Sequence, residues 1–253
     1  MNKKTINRTI ILILQGKTFL DKLKILKYFI KSLFLNEKYQ IDKLIININK
    51  NLLFHVRKNE PNDLYMGLRN LDKNSFKIMS SKKFNVCLDI GANIGRYSLE
   101  MSKNSNKVFA FEPELNNFIA LKENIQLNNL RNIKTENIAL SNSNKKINLY
   151  LNKENNGGHT IIKRDTSYKQ RVNSMKLDYF LKNKKIKKID LIKIDVEGAE
   201  LKVFKGSKDT LNKYPPLIIF EALTKSDFQL IKKFLTKYKY IIKALSGDNY
   251  LAI

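Results

Sequence analysis

From residue 82 onward, short apolar runs alternate with stretches of helical periodicity. Five runs predict β-strands, the third of them with a break: 86–90, 108–111, 133–140, 189–194 and 217–220. Helices are predicted over 115–127, 198–214 and 226–238, and the runs 241–245 and 250–253 predict an antiparallel hairpin. Apolar strands that alternate with helices are typical of a parallel sheet covered on both faces, so the sequence predicts an α/β fold. The polar segment 142–177 is expected to form loops and short strands over the sheet.

Composition excludes several classes of protein. With 43% hydrophobic and 28% charged residues, nine Gly and four Pro, the chain is neither collagen-like nor wholly disordered. Its one cysteine, Cys87, excludes an intramolecular disulfide framework, and we expect a buried small side chain in a reducing, cytoplasmic compartment. The only two histidines are His55 and His159, so a cage of several His ligands is not expected, and His55 is predicted to point outward from a strand.

The net charge of +25 permits two explanations. Only 7 of the 48 basic residues are arginines, the residue expected where base edges are read bidentately, so a specific nucleic-acid partner is not favoured. Residues 1–80 carry 16 basic and 6 acidic side chains (net +10), and the remainder carries 32 and 17 (net +15), so the charge is spread along the chain. The abundant Lys, Asn and Ile fit an AT-rich genome, and an anionic partner remains the alternative.

Residues 1–80 are predicted to form an N-terminal extension to a domain of residues 81–253. The apolar run 10–14 is too short for a secretory signal. A membrane-spanning helix needs about 20 apolar residues, and the sequence has no such run. Residues 17–34 predict a basic amphipathic helix, with an apolar face and a lysine face: Phe19, Leu23, Leu26, Ile30 and Leu33 against Lys17, Lys24, Lys27 and Lys31. Two interpretations stay open, packing on the main domain and peripheral contact with an anionic membrane at the inner face. A further strand is expected over 53–56.

A glycine-containing turn follows the first strand of the main domain, in the segment NVCLDIGANIGRYSLEMS at 85–102. Gly91 and Gly95 remove side chains where the backbone approaches a ligand, and a helix predicted from about Tyr97 offers free N–H groups. Glu112 ends the next strand, 21 residues after Gly91, where a carboxylate can accept hydrogen bonds from both hydroxyls of a ribose. The pattern indicates a nucleoside-type ligand.

Two such ligands fit the arrangement, a dinucleotide and S-adenosylmethionine. The dinucleotide fingerprint is G-x-G-x-x-G, whereas this chain has G-A-N-I-G at 91–95, so one glycine is missing where a pyrophosphate would contact the backbone. Asp89, just before the turn, would repel a phosphate and attract the ammonium group of a methionine. The sequence therefore favours S-adenosylmethionine.

Four segments resemble the FkbM-type S-adenosylmethionine-dependent methyltransferases: LDIGANIGRYSL, FAFEP, NIAL and IDLIKIDVEGAELKVFKG. The resemblance covers roughly residues 84–223 and implies a class I, Rossmann-like fold with a seven-stranded, mostly parallel sheet whose last strand is antiparallel. It also implies the residues that bind the donor. Asp89, Gly91, Asn93 and Gly95 would hold its methionine part, Glu112 its ribose, and Asn137 with Ala139 its adenine surroundings.

Carboxylates follow two further strands of the predicted sheet. Because ligands bind at the carboxyl ends of such strands, Asp195 and Glu197 should face the transferred methyl group, and Glu221 should form a third wall of the pocket. We expect Asp195 to act as base or cofactor anchor and Glu197 as a partner on the acceptor side, because a carboxylate can take the proton of a hydroxyl during transfer. Glu200 is expected to cap the following helix, and Lys193 to pair with a carboxylate.

Other candidates concern the acceptor and a metal. His159, in the polar segment, is either a contact to the acceptor, a base, or a plain loop residue. No metal ion is expected, although carboxylates at 195, 197 and 221 are of the type that binds hard divalent ions.

The resemblance implies an O-methyltransferase, because its members mostly methylate hydroxyl groups, often on sugars. We therefore expect an enzyme that acts on a small-molecule or lipid-linked saccharide, in a glycan, a glycolipid or a related metabolite. The alternatives are an RNA methyltransferase, suggested by the charge, and a non-catalytic membrane-surface protein that retains the fold. The sequence does not indicate an oligomeric state.

Overall fold

The structure of the protein is a computed structural model that describes residues 3–34, 41–49, 51–68, 71–153, 155–166 and 168–253. The chain forms two compact units. Unit 1 consists of Met1–Leu71 and Ala120–Asn129, and unit 2 of Asp72–Ile119 and Leu130–Ile253. The division of the chain at residue 80 into an extension and a domain stays a prediction.

In the part of residues 1–71 that the structure describes, unit 1 contains three helices and a two-stranded sheet: α1 (Lys3–Gln15), α2 (Phe19–Phe34), β1 (Leu44–Asn49), β2 (Leu52–Val56) and α3 (Pro61–Met66). The strands β1 and β2 pair antiparallel, which confirms the strand expected over 53–56. Within the described ranges, no helix has both the length and the apolar character needed to cross a membrane.

The orientation of α2 is set by an aspartate. Asp21 accepts hydrogen bonds from the Thr18 hydroxyl (2.7 Å) and from the backbone N–H of Ile45 in β1 (3.3 Å). Ile25, one turn further along the same side of the helix, is fully buried. The predicted apolar stripe lies on the other side and is exposed. Packing of this helix on the main domain stays a prediction. The side chain of Leu33, its last member, lies outside what the structure describes.

His55 in β2 also differs from its prediction. It is buried, with only 7% of its surface exposed, and its Nδ1 lies 3.0 Å from Glu123 Oε2. Its backbone N–H donates to Asn124 Oδ1 at 2.7 Å, so β2 is held by side chains of unit 1 that follow some 70 residues later in the sequence. Periodicity within β2 cannot reveal such a partner, which explains the wrong outward prediction.

Unit 2 contains the remaining elements, in chain order: α4 (Lys73–Met79), β3 (Phe84–Ile90), α5 (Arg96–Ser102), β4 (Ser105–Phe111), α6 (Leu115–Leu127, whose later turns belong to unit 1), β5 (Ile133–Glu136), β6 (Ala139–Leu140), β7 (Lys145–Tyr150), β8 (Lys169–Met175), α7 (Leu177–Asn183), β9 (Leu191–Ile194), α8 (Glu200–Lys205), α9 (Lys208–Lys213), β10 (Leu217–Glu221), α10 (Lys225–Thr236), β11 (Ile242–Ser246) and β12 (Asn249–Ala252).

Seven strands form one sheet in the order β11-β12-β10-β9-β3-β4-β5. The five strands from β10 to β5 pair in parallel, whereas β12 pairs antiparallel with both β10 and β11. The predicted mostly parallel sheet with an antiparallel last strand is therefore confirmed. The apolar residues of β9 are at most 1% exposed, as expected for a central strand covered on both faces. Cys87 in β3 is buried, as predicted, and burial raises the pKa of its thiol to about 12.

Two predicted elements are interrupted. The run 133–140 is divided between the large sheet (β5) and a separate three-stranded sheet of order β6-β8-β7, which also occupies the polar segment 142–177. The helix predicted over 198–214 is two helices, α8 and α9, because the chain at Gly206 passes against another backbone. A Cβ atom on Gly206 would lie 2.0 Å from the carbonyl oxygen of Ser141, so no side chain fits there.

Gly91 joins the ends of the two central strands. Its φ of +81° is a left-handed conformation, and a Cβ atom there would lie 1.8 Å from the carbonyl oxygen of Asp195, the residue after β9. Both the dihedral angle and the close contact require glycine. The turn after β3 and the end of β9 can therefore meet only through a residue without a side chain.

We predict that Gly91→Ala destabilises the protein more than Gly247→Ala. Gly247 in the β11–β12 hairpin also has a positive φ (+57°), but its Cβ atom would meet no described atom within 4 Å. The strained dihedral should cost about 1–2 kcal/mol at either position, and the contact with Asp195 should add about 1–3 kcal/mol at Gly91 only. Urea unfolding measures both losses, and equal losses would contradict this account.

Candidate active site

Four neighbouring strands of the large sheet end in acidic residues. Asp89 lies near the end of β3, Glu112 follows β4, Asp195 follows β9, and Glu221 is the last residue of β10. Because β10, β9, β3 and β4 are adjacent and parallel, these carboxylates lie along one edge of the sheet. The carboxyl edge of an open α/β sheet is where ligands bind.

The turn after β3 is held against the end of β4 by backbone hydrogen bonds. The N–H groups of Gly91 and Ala92 both donate to the carbonyl oxygen of Phe111, at 3.0 and 2.9 Å. Asn93 has a positive φ of 50°, and its N–H donates to Glu112 Oε2 at 2.8 Å. Gly95, with φ of 96°, precedes α5. The predicted cofactor residues of the turn and of β4 are thus brought together.

Glu112 is buried, with 5% of its surface exposed. Its Oε2 accepts the N–H of Asn93, and its Oε1 accepts the N–H of Glu114 at 2.9 Å. Burial raises the pKa of Glu112 to about 8, although both hydrogen bonds act in the opposite direction. Each oxygen has one N–H partner and keeps a further lone pair for a ligand.

Asp89 is 1% exposed and has one satisfied oxygen. The Ser98 hydroxyl donates to its Oδ2 at 2.5 Å, whereas its Oδ1 has no hydrogen-bond partner among the described residues. Asn93 Oδ1 is likewise buried and unpartnered within the described part of the chain. Burial raises the pKa of Asp89 to about 6, against the effects of Ser98 and Lys193. Two unsatisfied buried acceptors beside the turn are suited to a ligand that donates hydrogen bonds, such as an ammonium group.

Asn137 contacts the chain just after β4, whereas Ala139 belongs to the small sheet. Asn137 Nδ2 donates to the carbonyl oxygens of Glu112 (2.8 Å) and Pro113 (3.1 Å), so it holds the chain just after β4. Ala139 belongs to β6 and packs in the core of the small sheet, against Leu149 and Val172. Contact of either residue with an adenine stays a prediction.

The second half of the site contains three converging carboxylates. Asp195, Glu197 and Glu221 each offer an oxygen, and the three oxygens lie within 4.8 Å of one another. Lys193, fully buried in β9, places its Nζ 3.2 Å from Asp195 Oδ2 and 5.0 Å from the centre of the Tyr97 ring. The pairing predicted for Lys193 is present. The three oxygens are of the kind that binds a hard divalent ion, and the expectation that none is needed stays a prediction.

The charges of this cluster are coupled. Burial alone would raise the pKa of Asp195, but the Lys193 ammonium and a hydrogen bond with Glu221 outweigh it and lower that pKa. Burial and the charge of Asp195 raise the pKa of Glu221, which favours a neutral carboxyl that donates to Asp195. Burial, together with the charges of Asp195 and Glu200, raises the pKa of Glu197 to about 7. The site therefore combines one ionised carboxylate, one neutral carboxyl and one group that titrates near neutrality.

Two flanking residues have structural contacts. Glu200 Oε1 accepts the backbone N–H groups of Val196 (3.1 Å) and Gly198 (3.3 Å), so its carboxylate closes the turn into α8. His159 Nδ1 accepts the N–H of Asn152 at 3.0 Å. The loop that contains His159 lies close to the turn after β3: a Cβ atom on Gly157 would be 3.3 Å from Asn93 Nδ2.

Three polar residues of the site escaped the sequence predictions. Ser98 is hydrogen-bonded to Asp89, and the Tyr97 hydroxyl donates to Asp72 Oδ2 at 3.2 Å, beneath the Lys193 ammonium. Asp72 in turn caps α4 by accepting the Ser75 N–H. Only the polar residues in the first turn of an otherwise buried helix, at positions 97 and 98, could have indicated that α5 contacts the site.

Comparison with known proteins agrees with this arrangement. The sequence model of the family described as "Methyltransferase FkbM domain" matches residues 89–242. "Methyltransferase 1" of Beauveria bassiana (strain ARSEF 2860) is 25% identical over 184 residues, which are 64% of this chain and 74% of that protein. "Methyltransferase sdnD" of Sordaria araneosa is 30% identical over 152 residues, 47% of this chain and 59% of that protein. The crystal structure of Methyltransferase FkbM from Methylobacillus flagellatus KT has a TM-score of 0.52 at 13% identity, covering 98% of this chain and 58% of that one.

The fold and the family match define a class I, Rossmann-like methyltransferase that uses S-adenosylmethionine. Because the family match covers more than half of the chain, the protein belongs to the FkbM methyltransferase domain family. The predicted family, fold, enzymatic nature and methyl donor are confirmed, and the non-catalytic alternative is set aside. The chain spans 58–59% of the FkbM structure and of sdnD, so the activity of those whole proteins is not transferred to it.

We predict that Lys193 and Asp195 are strongly coupled in stability. Lys193→Met should cost about 1–3 kcal/mol, because it leaves the partly buried Asp195 without its charge partner. The double variant Lys193→Met/Asp195→Asn should be more stable than the sum of the two single losses by about 0.5–3 kcal/mol. Urea unfolding of the four proteins gives this coupling. Additive losses would show that the ion pair does not organise the site.

Proposed function

We propose that the protein transfers a methyl group from S-adenosylmethionine to a hydroxyl of a sugar, in a glycan, a glycolipid or a related metabolite. The observation that carries the proposal is the convergence of Asp195, Glu197 and Glu221 beside the turn after β3. A hydroxyl must lose its proton as it gains a methyl group, and a carboxylate of this cluster can accept that proton. The proposed acceptor is a small-molecule or lipid-linked saccharide, and the proposed compartment is the cytoplasm.

The residues around the turn after β3 fit the donor. We assign the unpartnered oxygens of Asp89 and Asn93 to its ammonium group, and the remaining lone pairs of Glu112 to the two ribose hydroxyls. Gly91 and Gly95 give the turn its positive φ angles of +81° and 96°, and we assign this turn to the methionine part. When bound there, S-adenosylmethionine supplies a methyl group on a positively charged sulfur.

Within the carboxylate cluster, Glu197 is suited to be the base. A general base is most effective when its pKa lies near the working pH, and that of Glu197 is raised to about 7. Asp195 is the weaker base because Lys193 and Glu221 stabilise its charge, so we assign it to positioning of the acceptor and donor. Glu197 also has a positive φ of 55°, a strained conformation of the kind found at functional sites.

The assigned acceptor is a sugar for two reasons. Hydroxyl groups donate hydrogen bonds, and the site offers them acceptors in the ionised Asp195 carboxylate and in the carbonyl oxygen of Glu221. The loop with His159 and several asparagines approaches the turn after β3, and its side-chain amides supply both hydrogen-bond donors and acceptors. His159 uses Nδ1 to hold this loop, so we assign it to acceptor binding and not to proton transfer.

We predict that methyl transfer increases as the pH rises through about 7, because Glu197 must lose its proton before it can accept one. Glu197→Gln should lower the rate about 10²–10⁴-fold and remove this step of the pH profile. Asp209→Asn, at an exposed carboxylate of α9, is the matched control and should change neither.

The acceptor is identified by mass spectrometry of glycans from cells with and without the gene, as a loss of one CH₂ group. Methylation lost from RNA and not from glycans would overturn the proposed acceptor.

We also predict that donor affinity increases with pH through the titration of Glu112. Its pKa is raised to about 8 in the free protein, and only the ionised carboxylate can accept hydrogen bonds from both ribose hydroxyls. Calorimetry with S-adenosylhomocysteine between about pH 6.5 and about pH 9 should show a falling Kd. The dependence should flatten in Glu112→Gln, with weaker binding throughout. An affinity that is independent of pH in the native protein would contradict the assignment of Glu112.

A further inference from the structure

The two N-terminal helices expose a group of large apolar side chains, which we call the apolar stripe. In α2 it consists of residues that are 39–77% exposed: Phe19, Leu20, Leu23, Leu26 and Ile30. In α1, which contacts α2, it continues with Ile10 at 50% and Leu14 at 67% exposure. Isolated exposed apolar residues are ordinary, but seven large ones on two helices that contact each other indicate an interaction site.

Contacts on the opposite side of α2 fix the orientation of this helix, so the apolar stripe stays on its outer side. The opposite side of α2 is held by Ile25, which is fully buried, and by Asp21, whose carboxylate is hydrogen-bonded to Thr18 and to the backbone of Ile45. Phe19, Leu23, Leu26 and Ile30 are three or four residues apart and share the outer face. The fold therefore presents this face to its surroundings.

The stripe is bordered by positive charge. Residues 1–34 contain eight basic side chains and one acidic one, a net charge of +7, and the acidic one is Asp21, whose oxygens are already hydrogen-bonded. Lys17 and Lys27 are exposed, and Lys22 and Lys24 are partly exposed, next to the stripe in α2. An apolar face flanked by lysines is the pattern of a helix that lies in the interface of an anionic lipid bilayer.

We propose that α1 and α2 form a membrane-docking surface, in which the apolar stripe enters the headgroup region of an anionic bilayer and the flanking lysines contact lipid phosphates. This inference goes beyond the proposed acceptor and does not depend on it. A second copy of the chain is the less suitable occupant, because two such faces would bring two charges of +7 together. Nucleic acid would bind the lysines and leave seven large apolar side chains in water.

Vesicle co-sedimentation of the full chain tests the proposal. We expect binding to vesicles of phosphatidylcholine with phosphatidylglycerol, and little binding to phosphatidylcholine alone. The triple variant Leu23→Gln/Leu26→Gln/Ile30→Gln should bind the anionic vesicles about a hundredfold more weakly. It should keep the native melting temperature, because all three side chains are exposed.

Two matched controls distinguish binding through this surface from non-specific binding to vesicles. Leu230→Gln/Ile241→Gln removes exposed apolar side chains of unit 2, and Lys208→Gln/Lys213→Gln removes exposed charges of α9; both should bind as the native protein does. By contrast, Lys17→Gln/Lys27→Gln should weaken binding. No binding to anionic vesicles, or equal binding by the triple variant, would overturn the proposal. So would a dimer or an RNA complex that the triple variant abolishes while vesicle binding is unchanged.

Discussion

The rest of the site depends on the positive charge of Lys193, whose ammonium group is buried in the central strand of the sheet. Lys193 is fully buried, and its charge acts on Asp89, Asp195 and Glu221 at once. Without a cation at this depth, that many carboxylates could not share one end of a sheet, because each would be desolvated and repelled by the others. The ion pair with Asp195 therefore permits the gathering of acidic groups that the proposed chemistry requires.

The same arrangement separates the site into two chemically different halves. Around Asp89 and Glu112, the turn after β3 offers fixed acceptors and glycine backbone, which suit a ligand that is bound and released unchanged apart from its methyl group. Around Asp195, Glu197 and Glu221, the groups differ in protonation at neutral pH, which suits proton transfer. Gly91 connects the halves, since its missing side chain lets the turn contact the backbone of Asp195.

Much of unit 2 could be predicted from its sequence because its signals are local. The strand–turn–helix at 84–102 and the helix α6 follow directly from apolar patterning and glycine placement. Gly206 and His55 could not be predicted, because their environments are set by Ser141 and by Glu123, which are distant in sequence. Periodicity likewise identified the amphipathic character of α2 but not its orientation, because Asp21, by bonding the backbone of β1, decides which side is buried. The residues that carry the proposed chemistry were found by their positions at strand ends, whereas their protonation states depend on burial that only the fold defines.

The central claim is that the site at the ends of β3 and β4 binds the methyl donor with its amino-acid head on the turn after β3. A crystal structure of the protein with S-adenosylhomocysteine tests it most directly. The account predicts the ammonium group within hydrogen-bond distance of Asp89 Oδ1, both ribose hydroxyls on Glu112, and the sulfur directed toward Asp195 and Glu197. A ligand that binds elsewhere, or that places its ribose on the turn after β3 and its amino-acid head away from Asp89, would contradict it.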